Sequence, residues 1–120
     1  MLKIQDYKDL IVWQKSMNLV EVIYRITARF PRDEQWGLVS QLRRAAISVP
    51  SNIAEGYGRQ TSGEYKHSLC ISRGSLFEIE TQIILCHRLG FIDENELNQI
   101  KSDLLQIGKM LTVLVSKLKS

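Results

Sequence analysis

The chain has 120 residues, of which 44% are hydrophobic and 24% charged, and it carries a formal net charge of +3 at pH 7. This length supports one hydrophobic core, and the composition argues against disorder. No apolar run approaches the roughly 20 residues that a membrane-spanning helix needs, and the N-terminus lacks the pattern of a secretion signal. We therefore expect one globular domain, residues 1–120, in the cytoplasm, with no membrane contact.

Apolar spacing and helix-breaking residues divide the chain into four helical segments, at about residues 9–30, 33–57, 61–89 and 93–119. Pro31 follows the first segment, and Asp33 is a suitable N-cap for the second. Pro50 lies inside the second segment, where it removes one backbone hydrogen bond and predicts a kink without a break. Gly56 and Gly58 are expected to supply left-handed backbone where that segment ends.

The last two segments begin with capping patterns. Thr61 and Glu64 have the spacing of a capping box, and so do Asp93 and Glu96, while Gly90 ends the third segment. The connections are short, so consecutive helices should be antiparallel neighbours. The sequence predicts an all-α fold, namely an up-down-up-down antiparallel four-helix bundle.

The fourth segment has the most regular apolar pattern, with spacings that alternate between three and four residues. Its members are Leu97, Ile100, Leu104, Ile107, Leu111, Leu114 and Leu118. This mean period of 3.5 predicts near-parallel packing against a neighbouring helix. Further apolar residues lie outside the pattern, namely Leu105, Met110, Val113 and Val115, and one bundle does not need them all. We therefore expect the chain to form a homo-oligomer.

The residues that commonly carry metal or nucleophilic chemistry are too scattered for a site. Glu64 and His67 form one Glu-x-x-His pair, but a di-iron bundle needs two, and His87 lies far along the same helix. Cys86 and His87 are adjacent and point about 100° apart on a helix, so they do not form a nucleophile–base pair. We expect no metal, no cofactor and no enzymatic activity.

Positive charge is concentrated in residues 41–73, which have a net charge of +3. The cations of this stretch are Arg43, Arg44, Arg59, Lys66 and Arg73. Guanidinium groups bind phosphate through two donors, so these residues are candidate nucleic-acid contacts. Tyr57 and Tyr65 lie among them and are candidates to stack on unpaired bases.

Residues 41–73 also allow structural interpretations that involve no nucleic acid. Glu55 has the position to pair with an arginine of a neighbouring helix, such as Arg73, and so to set the packing register. The charge distribution is equally compatible with an ordinary solvated surface.

The sequence resembles a known family along most of its length. The matching segments are residues 9–15 (DLIVWQK), 30–31 (FP), 37–38 (GL), 41–56 (QLRRAAISVPSNIAEG), 74–76 (GSL), Glu78 and 80–82 (ETQ). The motif includes Pro50, Asn52, Glu55 and Gly56. These segments resemble a family of bacterial four-helix bundle proteins encoded within intervening sequences of 23S rRNA genes. That family also includes the accessory variability protein of diversity-generating retroelements.

The resemblance implies a homo-oligomer, namely a pentamer. In the retroelement branch it implies a basic assembly that binds nucleic acid and a reverse transcriptase. With the basic stretch, this leads us to expect an oligomeric accessory protein that binds RNA or DNA non-specifically through a basic surface. The alternative is a scaffold ring that docks a partner protein and binds no nucleic acid.

Overall fold

A computed structural model describes residues 4–118. Four long helices run antiparallel: α1 (Ile11–Thr27), α2 (Ser40–Tyr57), α3 (Ser62–Arg88) and α4 (Glu94–Ser116). Each helix packs on the next, and α1 also contacts α4, which closes the bundle around one core. The predicted four-helix bundle is confirmed. Within residues 4–118, no helix is both long and apolar enough to cross a membrane.

The core follows the apolar spacing of the sequence. In α4, Ile100, Leu104, Ile107 and Leu111 are buried. These four residues are the centre of the predicted 3.5-residue pattern, and the flanking members of the pattern are only half-buried. The regular pattern therefore predicts the buried face of α4 correctly.

The first helix is shorter than the predicted segment 9–30. Leu10 has an extended backbone and separates α1 from a short 3₁₀ turn at Tyr7–Asp9, which Asp6 caps. At the other end α1 stops at Thr27. Phe30 leaves the helix to pack on Phe91, with 5.3 Å between the ring centroids. The helix therefore ends three residues before the predicted boundary.

The second helix begins later than predicted, and Asp33 is not its N-cap. Asp33 lies in a 3₁₀ turn at Arg32–Glu34, which runs into a π-helical turn at Gln35–Val39 before α2 starts. Gly37 is non-helical there, with φ −109° and ψ −108°. The break falls at this glycine, and α2 continues through the buried Pro50 as expected.

The glycines at the end of α2 do not have the predicted role. Gly58 has a φ of −84°, and Gly56 is a helical residue packed against α3. Within the described chain only Gly90 has a positive φ, 81°. There the Phe91 amide donates to the Cys86 carbonyl at 2.9 Å, which ends α3 as predicted.

Both predicted caps are present. The Glu64 amide donates to Thr61 Oγ1 at 3.1 Å, although the Glu64 carboxylate accepts from the Thr61 hydroxyl instead of completing a capping box. At α4 the box is complete, with Asp93 and Glu96 each accepting from the other's amide. The predicted end of α4 at residue 119 lies outside the described residues, and the helix ends at Ser116.

Candidate nucleic-acid interface

Arg43 connects α2 to the end of α1. Its Nε donates to Thr27 Oγ1 at 2.9 Å and its Nη2 donates to the Tyr24 carbonyl at 3.3 Å. The guanidinium also lies 4.3 Å from the centroid of the Tyr24 ring. The Tyr24 carbonyl also accepts from the Ala28 amide at 3.1 Å, and the C-terminal end of a helix favours a nearby cation. Arg43 therefore stabilises the α1–α2 contact, and several of its donors are already used.

Arg44, the next residue, is exposed and has no hydrogen-bond or ion-pair partner within residues 4–118. It lines a shallow pocket of about 350 Å³ between α1, the π-helical turn and α2. We call the Trp36 surface the part of this pocket formed by Tyr24, Trp36, Arg43, Arg44 and Ile47. It combines aromatic rings with cations at one end of the bundle.

The π-helical turn decides that Trp36 points outward. Trp36 is 90% exposed, whereas Val39, three residues later, is buried. The non-helical backbone at Gly37 lies between them and allows the two side chains to face solvent and core, respectively. A Cβ at Gly37 would lie 3.3 Å from Glu34 Oε1, so a larger residue requires a small shift of that side chain.

The other predicted cations lie elsewhere. Arg59 follows α2 and pairs with Glu55, and Lys66 is half-buried in the second turn of α3. Arg73 is half-buried, and its Nη2 lies 3.9 Å from Cys70 Sγ. Arg44 and Arg59 are fifteen residues apart, roughly 22 Å along α2. Arg43 and Arg44 thus line one pocket, and the other three cations do not line it.

The suggested pairing of Glu55 with Arg73 is wrong. Glu55 is exposed and pairs with Arg59, one turn further along the chain. The reason is geometric, because Arg73 lies against α4 while Glu55 faces solvent. An exposed pair of this kind contributes little to stability and does not set a packing register.

The rest of the family motif serves the contact between α2 and α3. Asn52 Nδ2 donates to the Ser48 carbonyl at 2.8 Å, and Ser75 Oγ bonds Ser48 Oγ at 3.0 Å. Ser72 Oγ donates to the carbonyl of Val49, which precedes Pro50, at 2.8 Å. These bonds satisfy buried polar groups where the two helices meet. Pro50 is buried in α2, and Asn52 bonds within α2 to Ser48, whose hydroxyl bonds to Ser75 of α3.

Tyr57 and Tyr65 pack on each other at the other end of α2. Their ring centroids are 6.2 Å apart in an edge-on arrangement. Burial, with a smaller contribution from the charge of Tyr57, raises the pKa of Tyr65. Both rings are half-buried, whereas Trp36, which the sequence analysis did not single out, is 90% exposed. The available signal was a tryptophan beside a glycine, outside any apolar periodicity.

No three His, Cys, Asp or Glu side chains between residues 4 and 118 are grouped to hold a metal. Cys86 is buried, and burial, assisted by the charge of Glu34, raises the pKa of its thiol to about 11. The Cys86 thiol therefore stays protonated at neutral pH.

A second concavity, the α3–α4 groove, has a volume of about 550 Å³. Three of its residues are large and well exposed, namely Phe77 (66%), Leu105 (62%) and Val113 (51%). Its other lining residues are Arg73, Leu76, Glu80, Leu104, Gly108, Lys109 and Thr112. Contiguous apolar surface of this kind is typical of interaction sites.

These features define a helical bundle with one aromatic and basic surface and one apolar groove. The model of the 23S rRNA-intervening sequence protein family matches residues 8–113, and the chain belongs to that family. A crystal structure of a protein of unknown function from the S23 ribosomal protein family of Bacteroides thetaiotaomicron is similar, with a TM-score of 0.79 and 22% identity. The match covers 88% of this chain and 98% of that one, and supports the fold. No functionally curated protein matches the chain.

Proposed function

We propose that the protein is a cytoplasmic, non-enzymatic homo-oligomer that binds RNA or DNA non-specifically through backbone phosphates. The observation that carries this proposal is the unpartnered Arg44 beside the exposed ring of Trp36. A guanidinium that has no internal carboxylate is available to a phosphate, with which it forms paired, charge-assisted hydrogen bonds. The Trp36 surface is therefore the proposed contact region.

Self-association is part of this proposal because the net charge of one chain is only +3. The α3–α4 groove leaves Phe77, Leu105 and Val113 in water, and covering them with a second copy removes that apolar surface from solvent. An assembly repeats the Trp36 surface once per subunit, which multiplies the local positive field. A pentamer is the subunit number that the family resemblance implies. A reverse transcriptase remains a proposed partner on the same ground.

The test is binding of a short unstructured RNA, followed by fluorescence anisotropy at about 50 mM and about 200 mM salt. Phosphate contacts release counterions, so affinity should fall as salt rises. Arg44→Glu should weaken binding about tenfold or more, because it replaces an attractive contact by a repulsive one. No binding at low salt, or binding that does not depend on salt, would overturn the proposal.

Lys117→Glu is the matched control, because it makes the same charge change at the opposite end of the bundle, where α4 ends. It should reduce affinity less than Arg44→Glu does. Arg43 is unsuitable for this comparison, since replacing it also removes its bonds to Thr27 and Tyr24. Equal losses for Arg44→Glu and Lys117→Glu would show that net charge, and not the Trp36 surface, governs binding.

The second candidate function is a scaffold ring that docks a partner protein without nucleic acid. The α3–α4 groove favours it, because its exposed residues are mainly apolar. The two functions differ in a direct measurement. A scaffold should assemble normally, fail to bind RNA at low salt and keep exposed apolar surface that binds a hydrophobic dye.

A further inference from the structure

Trp36 occupies an unusual position for a large aromatic side chain. Its ring is 90% exposed, yet it adjoins a concave surface that also includes Tyr24 and Ile47, both partly exposed apolar groups. We propose that Trp36 stacks on an unpaired base, so that the protein prefers single-stranded nucleic acid to a duplex. This inference rests on the proposed nucleic-acid binding and adds the class of ligand to it.

The chemistry of the neighbouring side chains matches a nucleotide. Every base has an apolar face that covers an indole ring, and every base is followed by a phosphate. The partner-free Arg44 lines the same pocket as Trp36 and is placed to meet that phosphate. Gln35 and Ser40 add polar groups to the pocket wall. The pocket thus offers apolar, cationic and hydrogen-bonding groups together.

A single strand fits this surface better than a duplex does. In a duplex the faces of the bases are covered by their neighbours, and only their edges are accessible in the grooves. The indole ring of Trp36 reaches a base face only where the base is unstacked. A duplex would retain the phosphate contact with Arg44 but lose the contact with Trp36. Single-strand preference is therefore the specific consequence of this arrangement.

The arrangement also favours nucleic acid over a protein partner at this surface. A protein-binding tryptophan is commonly surrounded by groups that are fully desolvated in the complex. Here Arg44 stands beside the indole without a carboxylate partner, and burying it against a protein would require a new anion. A phosphate supplies that anion and remains partly hydrated.

The experiment uses the intrinsic fluorescence of the full chain. The sequence has two tryptophans, so Trp13→Phe leaves Trp36 as the only one. Trp13 is half-buried against Tyr7, with 5.4 Å between the ring centroids, and phenylalanine preserves an aromatic contact there. The Trp13→Phe protein is titrated with oligouridylate and with a duplex of equal length. We expect oligouridylate to quench the Trp36 fluorescence and to bind about tenfold more tightly than the duplex.

Trp36→Ala in the natural chain completes the test. It should reduce affinity for oligouridylate about tenfold and leave affinity for the duplex unchanged, while Trp36→Phe should retain most of the preference. Because Trp36 is exposed, neither change removes a core contact. Light scattering of the Trp36→Ala protein should give the same mass as the natural chain.

The possible failures are distinguishable. Equal binding of single strand and duplex, with unchanged Trp36 fluorescence, would overturn the stacking inference and leave the proposed function standing. Absence of binding to either nucleic acid would overturn both. A Trp36→Ala protein that dissociates while its subunits keep their RNA affinity would identify Trp36 as a contact between subunits and would also overturn the inference.

Discussion

Gly56 shows how one residue determines the distance between two helices. It is buried in α2, opposite Ser68 and Tyr65 of α3. A Cβ on Gly56 would lie 2.8 Å from Ser68 Cβ and 2.9 Å from Tyr65 Cδ1. Both distances are too short for carbon atoms, so the helices approach this closely only because the side chain is absent. Gly56 is a packing residue, although its place in the motif suggested an exit turn.

Replacing Gly56 by alanine should therefore destabilise the protein. We expect the free energy of unfolding to fall by about 1–3 kcal/mol, because α2 and α3 must separate to admit the methyl group. Gly74→Ala is the matched control, since Gly74 is an exposed helical residue of α3 with open space around its Cα. That change should raise stability by about 0.5–1 kcal/mol through helix propensity. Urea denaturation measures the free energy of unfolding of both variants. If alanine stabilised the protein equally at both positions, the close approach of α2 and α3 at Gly56 would be contradicted.

The start of α4 is stabilised by a residue from another part of the chain. The Glu96 carboxylate accepts the Asp93 amide at 3.0 Å and also pairs with Arg29, which lies beyond the end of α1. The hydrogen bond from Arg29 is the main cause that holds the pKa of Glu96 below its usual range, and the Asp93 amide adds to it. The Glu96 carboxylate therefore caps α4 and also ties the start of α4 to the segment between α1 and α2.

The lowered pKa of Glu96 predicts a pH dependence of stability. In the unfolded chain Glu96 takes up a proton near its usual pKa of 4.5, whereas the folded state resists protonation to lower pH. The stabilisation is therefore complete above about pH 4.5 and is lost as pH falls through the lower folded-state pKa. Glu96→Gln should cost about 0.3–1 kcal/mol at pH 7, and the deficit should shrink in acid.

Thermal unfolding between neutral and acidic pH measures this effect. Glu94→Gln is the control, because Glu94 lies in the same first turn of α4 but is not part of the capping box. If Glu96→Gln lowers the stability of the protein equally at neutral and acidic pH, the charge of the carboxylate contributes nothing to that stability.

At the scale of the whole molecule, the α3–α4 groove is the apolar surface that the folding of a single chain leaves exposed to water. The sequence suggested four apolar residues in excess of the bundle core. Leu105 and Val113 are exposed in this groove, whereas Met110 and Val115 pack against the core. Leu105→Lys places a charge in the centre of the proposed subunit contact, where a second copy cannot hydrate it. We expect light scattering to show assembly for the natural chain and 13.8 kDa monomers for this variant.

The variant should retain its helical circular dichroism, since Leu105 is largely outside the core. Ile71→Lys is the control, because Ile71, which lies in α3, is also exposed but does not line the groove. A monomeric natural chain would contradict self-association altogether. Assembly of the Leu105→Lys protein would place the subunit contact elsewhere.

The fold was predictable from the sequence because its signals are local. The 3.5-residue pattern of α4, the capping residues Thr61 and Asp93, and Gly90 each act within one or two turns of the chain. The predictions that failed depend on other elements. Asp33 has the right residue type for an N-cap, but the π-helical turn delays the start of α2.

By itself the sequence determined the all-helical class, the order of the helices, the buried face of α4 and the family to which the chain belongs. Only the tertiary structure decided which cations have no internal partner and are therefore available to bind a ligand. Arg43 is held by Thr27, sixteen residues away, whereas its neighbour Arg44 remains exposed beside Trp36. The physical reason is that a guanidinium's partners depend on which elements meet around it, and charge counts along a chain do not contain that information. The exposure of Trp36 was decided in the same way, by the backbone turn that carries it.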